Sequence, residues 1–95
     1  MRVSELQGAA LDWAVMQCEE FVEDVFEPSE YWGDGGPIIE REKINLGWVF
    51  CDGREFWTAT MYLAESEGLT PLIAAMRCYV ASKLGDEIEI PEELK

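Results

Sequence analysis

Histidine is absent from this chain of 95 residues. That removes the commonest general base and the commonest metal ligand of neutral pH. Positive charge is scarce as well: seven Lys and Arg stand against 20 Asp and Glu, a net charge of −13. Phosphate backbones are gripped by clustered Lys and Arg that displace counterions, so direct nucleic-acid binding is not expected. The same sign argues against anionic membrane surfaces. A surface of this charge suits a basic protein partner, or serves only solubility. Cysteine occurs three times, at Cys18, Cys51 and Cys78, an odd count without CxxC spacing. Neither a disulfide framework nor a zinc site follows from it, and no metal or cofactor is expected. No apolar run reaches the ~18 residues of a membrane span, and the opening MRVSELQG lacks the apolar stretch of a signal peptide. The expected location is the cytoplasm.

What is present suffices for one domain over 1–95. Nearly half of the residues are apolar, so disorder is not expected. The core is thin, because a chain of this length buries only about 60–65% of its unfolded surface. A homodimer would supplement it.

Ser4-Glu5-Leu6-Gln7 has the pattern of a capping box, which places the start of a first helix at Ser4. Leu6, Ala10, Trp13, Ala14 and Phe21 then form its buried stripe. The helix is expected to reach residues 20–26, before Pro28, with Gly8 marking a close approach by another element. From Glu19 to Asp34 there are seven acids and no base, interleaved with Phe21, Phe26, Tyr31 and Trp32. This reads as an anchored loop. Gly33-Asp34-Gly35-Gly36-Pro37 reads as a turn, with Pro37 opening a short helix over 38–43.

Asp52-Gly53 is a type I′ hairpin signal, since both central residues must take positive φ. With these as the loop, Cys51 faces Arg54, Trp48 faces Trp57, Leu46 faces Ala59 and Ile44 faces Met61. One side is then continuously apolar, and a slip of one residue would break it. Glu65 to Gly68 reads as a loop. Thr70 as N-cap, Pro71 at the first helical position and Gly85 past the end bracket a C-terminal helix. It is apolar nearly all round, so it is buried on more than one side and placed on the hairpin's apolar face. Ile88 and Ile90 suggest a short edge strand that Pro91 stops. The fold class is α+β: an N-terminal helix, a short central helix, an antiparallel β-hairpin or small sheet, and a buried C-terminal helix packed on the sheet.

Three blocks, VSELQGAALDWAV, GGPIIEREKI and TPLIAAMRCYVASKLGDE, together resemble the NinX family of lambdoid bacteriophages and enterobacterial prophages. The stretches 17–31 and 45–69 depart more. The resemblance implies a phage-encoded accessory protein acting inside a bacterial cell. It carries no catalytic residue onto this sequence.

Chemistry finds little purchase in the remaining residues. Paired carboxylates abound, but acid–base work needs two carboxyls whose environments separate their pKa values. Glu40 is the least implausible candidate, and an ion pair with Arg41, Lys43 or Arg77 is its simpler reading. Asp34 lacks the alternating acids of a calcium loop. The serines have no histidine to activate them and no GxSxG setting. No enzymatic activity is expected. Arg77 is the only charge within LIAAMRCYVAS, to be met by a buried acid or by solvent. The aromatic pair Tyr31-Trp32 beside the Gly-rich turn has the residue types of binding hot spots.

The leading expectation is a non-catalytic protein that binds a host or phage protein with a basic surface, in its sharpest form an acidic DNA mimic or anti-defence factor. The alternative is a binding module or sponge for a small anionic ligand. The candidate binding residues are Tyr31, Trp32, Asp34, Gly35, Gly36, Glu40, Arg41 and Arg77.

Overall fold

The Asp52-Gly53 turn organises the centre of the molecule. In a computed structural model describing residues 1–20, 22, 24–62 and 64–95, Asp52 has φ +52° and Gly53 φ +76°. This is the positive-φ pair that a two-residue type I′ turn demands. β1 (Asn45–Cys51) and β2 (Arg54–Met61) pair antiparallel from Cys51↔Arg54 through Trp48↔Trp57 and Leu46↔Ala59 to Asn45↔Thr60. The register is the expected one.

The sheet has a third strand that the sequence reading missed. β3 (Ala64–Gly68) covers the stretch expected to be a loop and pairs with β2 from Met61↔Ala64 to Trp57↔Gly68, giving the order β1-β2-β3. Its composition, AESEG, is polar because one face looks to solvent, and Gly68 is small for a packing reason. A Cβ at Gly68 would lie 2.6 Å from the Ala74 nitrogen, so the last helix rides directly on the strand's backbone.

That helix, α3 (Pro71–Leu84), is built as its caps indicate. The Thr70 side chain accepts from the Ile73 N–H at 3.1 Å, and Gly85 ends the helix at φ +92°. Leu72, Ala74, Ala75, Met76, Cys78, Tyr79 and Val80 are all buried. One side of α3 lies on β2 and β3, and the other meets the N-terminal elements and α2. Burying a large apolar side chain contributes roughly 1.5–3 kcal/mol, so Leu72, Met76 and Val80 are central to the core.

The N-terminal region departs from expectation. Ser4 does not cap a helix: Val3–Glu5 is a 3-10 turn, and α1 spans Gly8–Met16 with Gln7 before it. Gly8 is not a close approach, since no atom lies within 4 Å of its would-be Cβ. It is glycine because φ is +55° where the chain turns into α1. α1 stops at Met16, short of the expected 20–26; Phe21, the last residue of the expected stripe, lies outside the described residues. Leu6, Leu11, Ala14 and Val15 fill the core. Asp12 is buried and accepts from the Ser29 N–H at 2.9 Å, fixing the turn over 28–30 against α1.

α2 is longer than a short helix after Pro37: it runs Trp32–Glu42, with the whole Gly-rich stretch inside it. Its N-terminus is nucleated by the preceding turn, where the Tyr31 N–H bonds to the Glu27 carbonyl and the Asp34 carboxylate accepts from the Glu27 N–H at 2.9 Å. Gly36 lacks the Cβ that would disfavour a helical residue before Pro37. The tail 86–90 does not extend the sheet. It closes on the N-terminus through Val3 N–H to the Asp86 carbonyl, an Arg2↔Glu87 bridge and two bonds between Met1 and Ile88. No helix is long and apolar enough to cross a membrane among the described residues.

Candidate protein-binding site

α2 buries Gly35 and Ile38 against the core and turns its other side outward. Tyr31 and Trp32, at its start, are 56% and 54% exposed. Trp32, Gly36, Pro37, Glu40, Arg41 and Lys43 line a shallow depression of about 770 Å³. The positions 32, 36 and 40 recur every fourth residue, which puts them on one face once the helix begins at Trp32. Four of the eight candidate residues therefore come together here: Trp32, Gly36, Glu40 and Arg41.

Tyr31 stands beside them, whereas the other three have separate duties. Asp34 is turned onto the Glu27 N–H. Gly35 is buried, and a Cβ on it would lie 2.5 Å from the Pro28 carbonyl oxygen. Arg77 is on α3, away from this depression, and it does not meet a buried acid. Its Nε donates to the Leu6 carbonyl and its guanidinium to the Glu67 carbonyl, both at 2.8 Å. Desolvation by burial pushes its pKa down. It clips the N-terminal turn and β3 onto α3. Glu40 takes part in none of the ion pairs found among the described residues.

Beside the depression lies a charged knot that sequence reading did not anticipate. Arg41 binds Glu19 through two N–H groups, at 2.8 and 3.1 Å, and Glu42 through Nε at 2.8 Å. A third contact goes to the Tyr79 hydroxyl at 3.0 Å, and that hydroxyl donates to Glu19 at 2.6 Å. Lys83 reaches Glu42 at 3.7 Å. Burial alone would raise the Glu19 carboxyl, but the hydrogen bonds from Arg41 and Tyr79 outweigh it and hold the pKa below the usual carboxylate range. Burial and the bond to Glu19 push the Tyr79 hydroxyl up. Both groups are thereby locked in one protonation state near neutral pH, the opposite of a poised acid–base pair. Cys18 and Cys78 are each raised to about 11 by burial, which keeps them as thiols. Among the described residues no three Cys, Asp or Glu side chains are grouped to hold a metal.

The family model described as bacteriophage P22 NinX matches residues 20–83. The chain belongs to the NinX family. The match takes in α2, the whole sheet and nearly all of α3, and it runs through the stretches 20–31 and 45–69 that diverge most from the resembling blocks. It begins after α1, so the VSELQGAALDWAV block lies outside it. None of the curated proteins matches the chain. Membership supports a phage accessory protein, and within this NinX-family chain the matched segment carries the Tyr31-Trp32 pair and, of the knot, Arg41, Glu42, Tyr79 and Lys83, with Glu19 one residue before it.

Of the seven acids from Glu19 to Asp34, Glu19 and Asp34 are committed to internal contacts and Glu23 lies outside the described residues. Glu20, Asp24 and Glu30 are exposed, Glu30 directly before the aromatic pair in the chain. A second exposed group, Asp86, Glu87, Glu89, Glu92 and Glu93, sits on the C-terminal tail.

Proposed function

We propose that this NinX-family protein is a non-catalytic accessory factor of the bacterial cytoplasm that binds a host or phage protein with a basic surface. Tyr31, Trp32 and the depression behind them form the contact. The observation that carries the reading is the aromatic pair, more than half exposed at the head of a helix whose opposite face is locked in the core. Rigid aromatics on a fixed element supply contact area at low entropic cost, and they dominate binding energies. Exposed Glu30 beside the pair, and a net charge of −13 over the chain, would steer a basic partner and leave binding sensitive to salt.

The test is affinity capture from infected host lysate at low and high salt, comparing the wild type with a Tyr31→Ala/Trp32→Ala variant. A basic partner should be recovered at low salt, lost at high salt, and weakened about 30-fold or more by the double substitution. Equal retention by the double variant, or no basic partner even at low salt, would overturn the proposal.

A further inference from the structure

Among the described residues no strand pairs with the outer edge of β1. Its seven residues, NLGWVFC, contain no charge and no proline, and the unbroken register with β2 leaves no bulge. Natural sheet edges are blunted by such devices because an open row of backbone groups recruits another strand. The opposite edge is guarded: β3 carries Glu65 and Glu67, and Arg77 occupies the Glu67 carbonyl.

The two-residue turn decides which backbone groups face the open edge. Cys51 and Arg54 exchange hydrogen bonds, so the pairs Val49–Phe56, Gly47–Thr58 and Asn45–Thr60 do so as well. Leu46, Trp48 and Phe50 therefore point their N–H and C=O groups outward, away from β2. Their side chains share the sheet face on which α3 lies, but α3 sits chiefly over β2 and β3. Beyond its cover Trp48 and Phe50 remain 57% and 63% exposed, their rings 6.3 Å apart. Among the described residues all three present unpaired backbone groups along the edge, and Trp48 and Phe50 add an uncovered apolar strip beside it, while Leu46 packs against the core.

We infer that two copies of this chain join antiparallel through β1, about a two-fold axis at Trp48, into one sheet of six strands. Trp48 is the midpoint of the strand. Pairing about it sets Trp48 opposite Trp48 of the second copy, Leu46 opposite Phe50, and Asn45 opposite Cys51, with no charge opposed over the seven positions. Opposed residues lie on one face, so the four exposed rings fill the gap between the two α3 helices. Rings of about 150–250 Å² each, together with two short strands, approach the lower end of stable interfaces at ~1,200 Å². The dimer is accordingly expected in the micromolar range. Each copy carries −13, and the interface itself is neutral. Screening the mutual repulsion should strengthen the dimer, whereas salt should weaken capture of a basic partner.

Sedimentation equilibrium over a range of protein and salt concentrations tests this. The expected result is twice the single-chain mass at high protein concentration, with more dimer at higher salt. Trp48→Lys should raise the dissociation constant by about a hundredfold or more, since two rings leave the interface and two ammonium groups oppose each other. Its far-UV circular dichroism should be unchanged. Asn45→Cys provides a register test that does not depend on that variant folding. Positions 45 and 51 would face each other as a non-hydrogen-bonded pair about 4.5 Å apart, within disulfide reach, so oxidised glutathione should link the introduced thiol to Cys51 of the second copy. The Tyr31→Ala/Trp32→Ala variant should still dimerise, which separates this inference from the partner-binding proposal. Single-chain mass under all conditions, a dimer indifferent to Trp48→Lys in a folded variant, a dimer that weakens with salt, or no cross-link at position 45 would each overturn it.

Discussion

Gly35 and Gly33 lie two positions apart in α2, and alanine at each should move stability in opposite directions. At Gly35 the added carbon would fall 2.5 Å from the Pro28 carbonyl oxygen and 2.7 Å from Leu72 Cδ2. Neither neighbour yields easily. The carbonyl belongs to the turn pinned by the bond between Asp12 and the Ser29 N–H, and Leu72 is only 3% exposed. Forcing one carbon into such a site costs about 1–3 kcal/mol. At Gly33 nothing lies within 4 Å of the added carbon and the backbone is helical. Alanine there should restrict the unfolded chain and favour the helix by about 0.5 kcal/mol, less than in mid-helix because the site is near the end. A domain of this size shifts its melting temperature by about 4–8 °C per kcal/mol. Gly35→Ala should therefore melt about 4–24 °C lower, and Gly33→Ala about 2–4 °C higher. Urea unfolding and thermal melts followed by far-UV circular dichroism measure both. If both variants lose stability, the stretch 33–37 is not the first half of a helix. If Gly35→Ala is neutral, α2 does not press on the Pro28 turn.

Arg77→Met should cost about 2–3 kcal/mol in urea unfolding, because the Leu6 and Glu67 carbonyls both lose a charged donor; an unchanged midpoint would remove its role as a clip. Glu19→Gln should destabilise by about 1 kcal/mol at neutral pH, since the pair with half-exposed Arg41 is partly screened by solvent. The folded-state pKa of Glu19 is depressed, so its contribution is present above the unfolded value of about 4.3 and lost as pH falls through the folded one. The stability gap between wild type and variant should close below about pH 4.3; a gap that widens in acid contradicts the assigned pairing.

The parts of the fold that could be read from sequence are those whose signals are local. Asp52-Gly53 fixes its own turn type and thereby the register from Asn45 to Thr60. Thr70, Pro71 and Gly85 bracket α3 for similar reasons. β3 escaped notice because its connection begins at Tyr62, an 89%-exposed tyrosine at φ +53°, where a glycine or asparagine would have announced a turn. α2 was hidden because three glycines and a proline argue for a loop, and the contacts that override them come from Pro28 and Leu72. At the candidate site the residue types were visible, but their grouping depended on where α2 begins. With Trp32 as its first residue, positions 32, 36 and 40 fall into line and Arg41 reaches across to Glu19, a partner 22 positions away. Arg77 illustrates the converse limit: a lone charge in an apolar helix implies a partner, but not that the partner is a carbonyl.

The clasp between the N-terminal residues and the tail has a kinetic consequence. The hairpin, the second strand pair and α3 are closed by contacts near in sequence, which cost little chain entropy to form. The Met1–Ile88 bonds join residues 87 positions apart, and the Arg77–Leu6 bond spans 71. These links gain their energy only after the sheet and α3 are in place, so they belong to the last step of folding. By the same reasoning they open first: the clasp releases Val3 and Ile88 while β2, held by a strand on each side, stays shut.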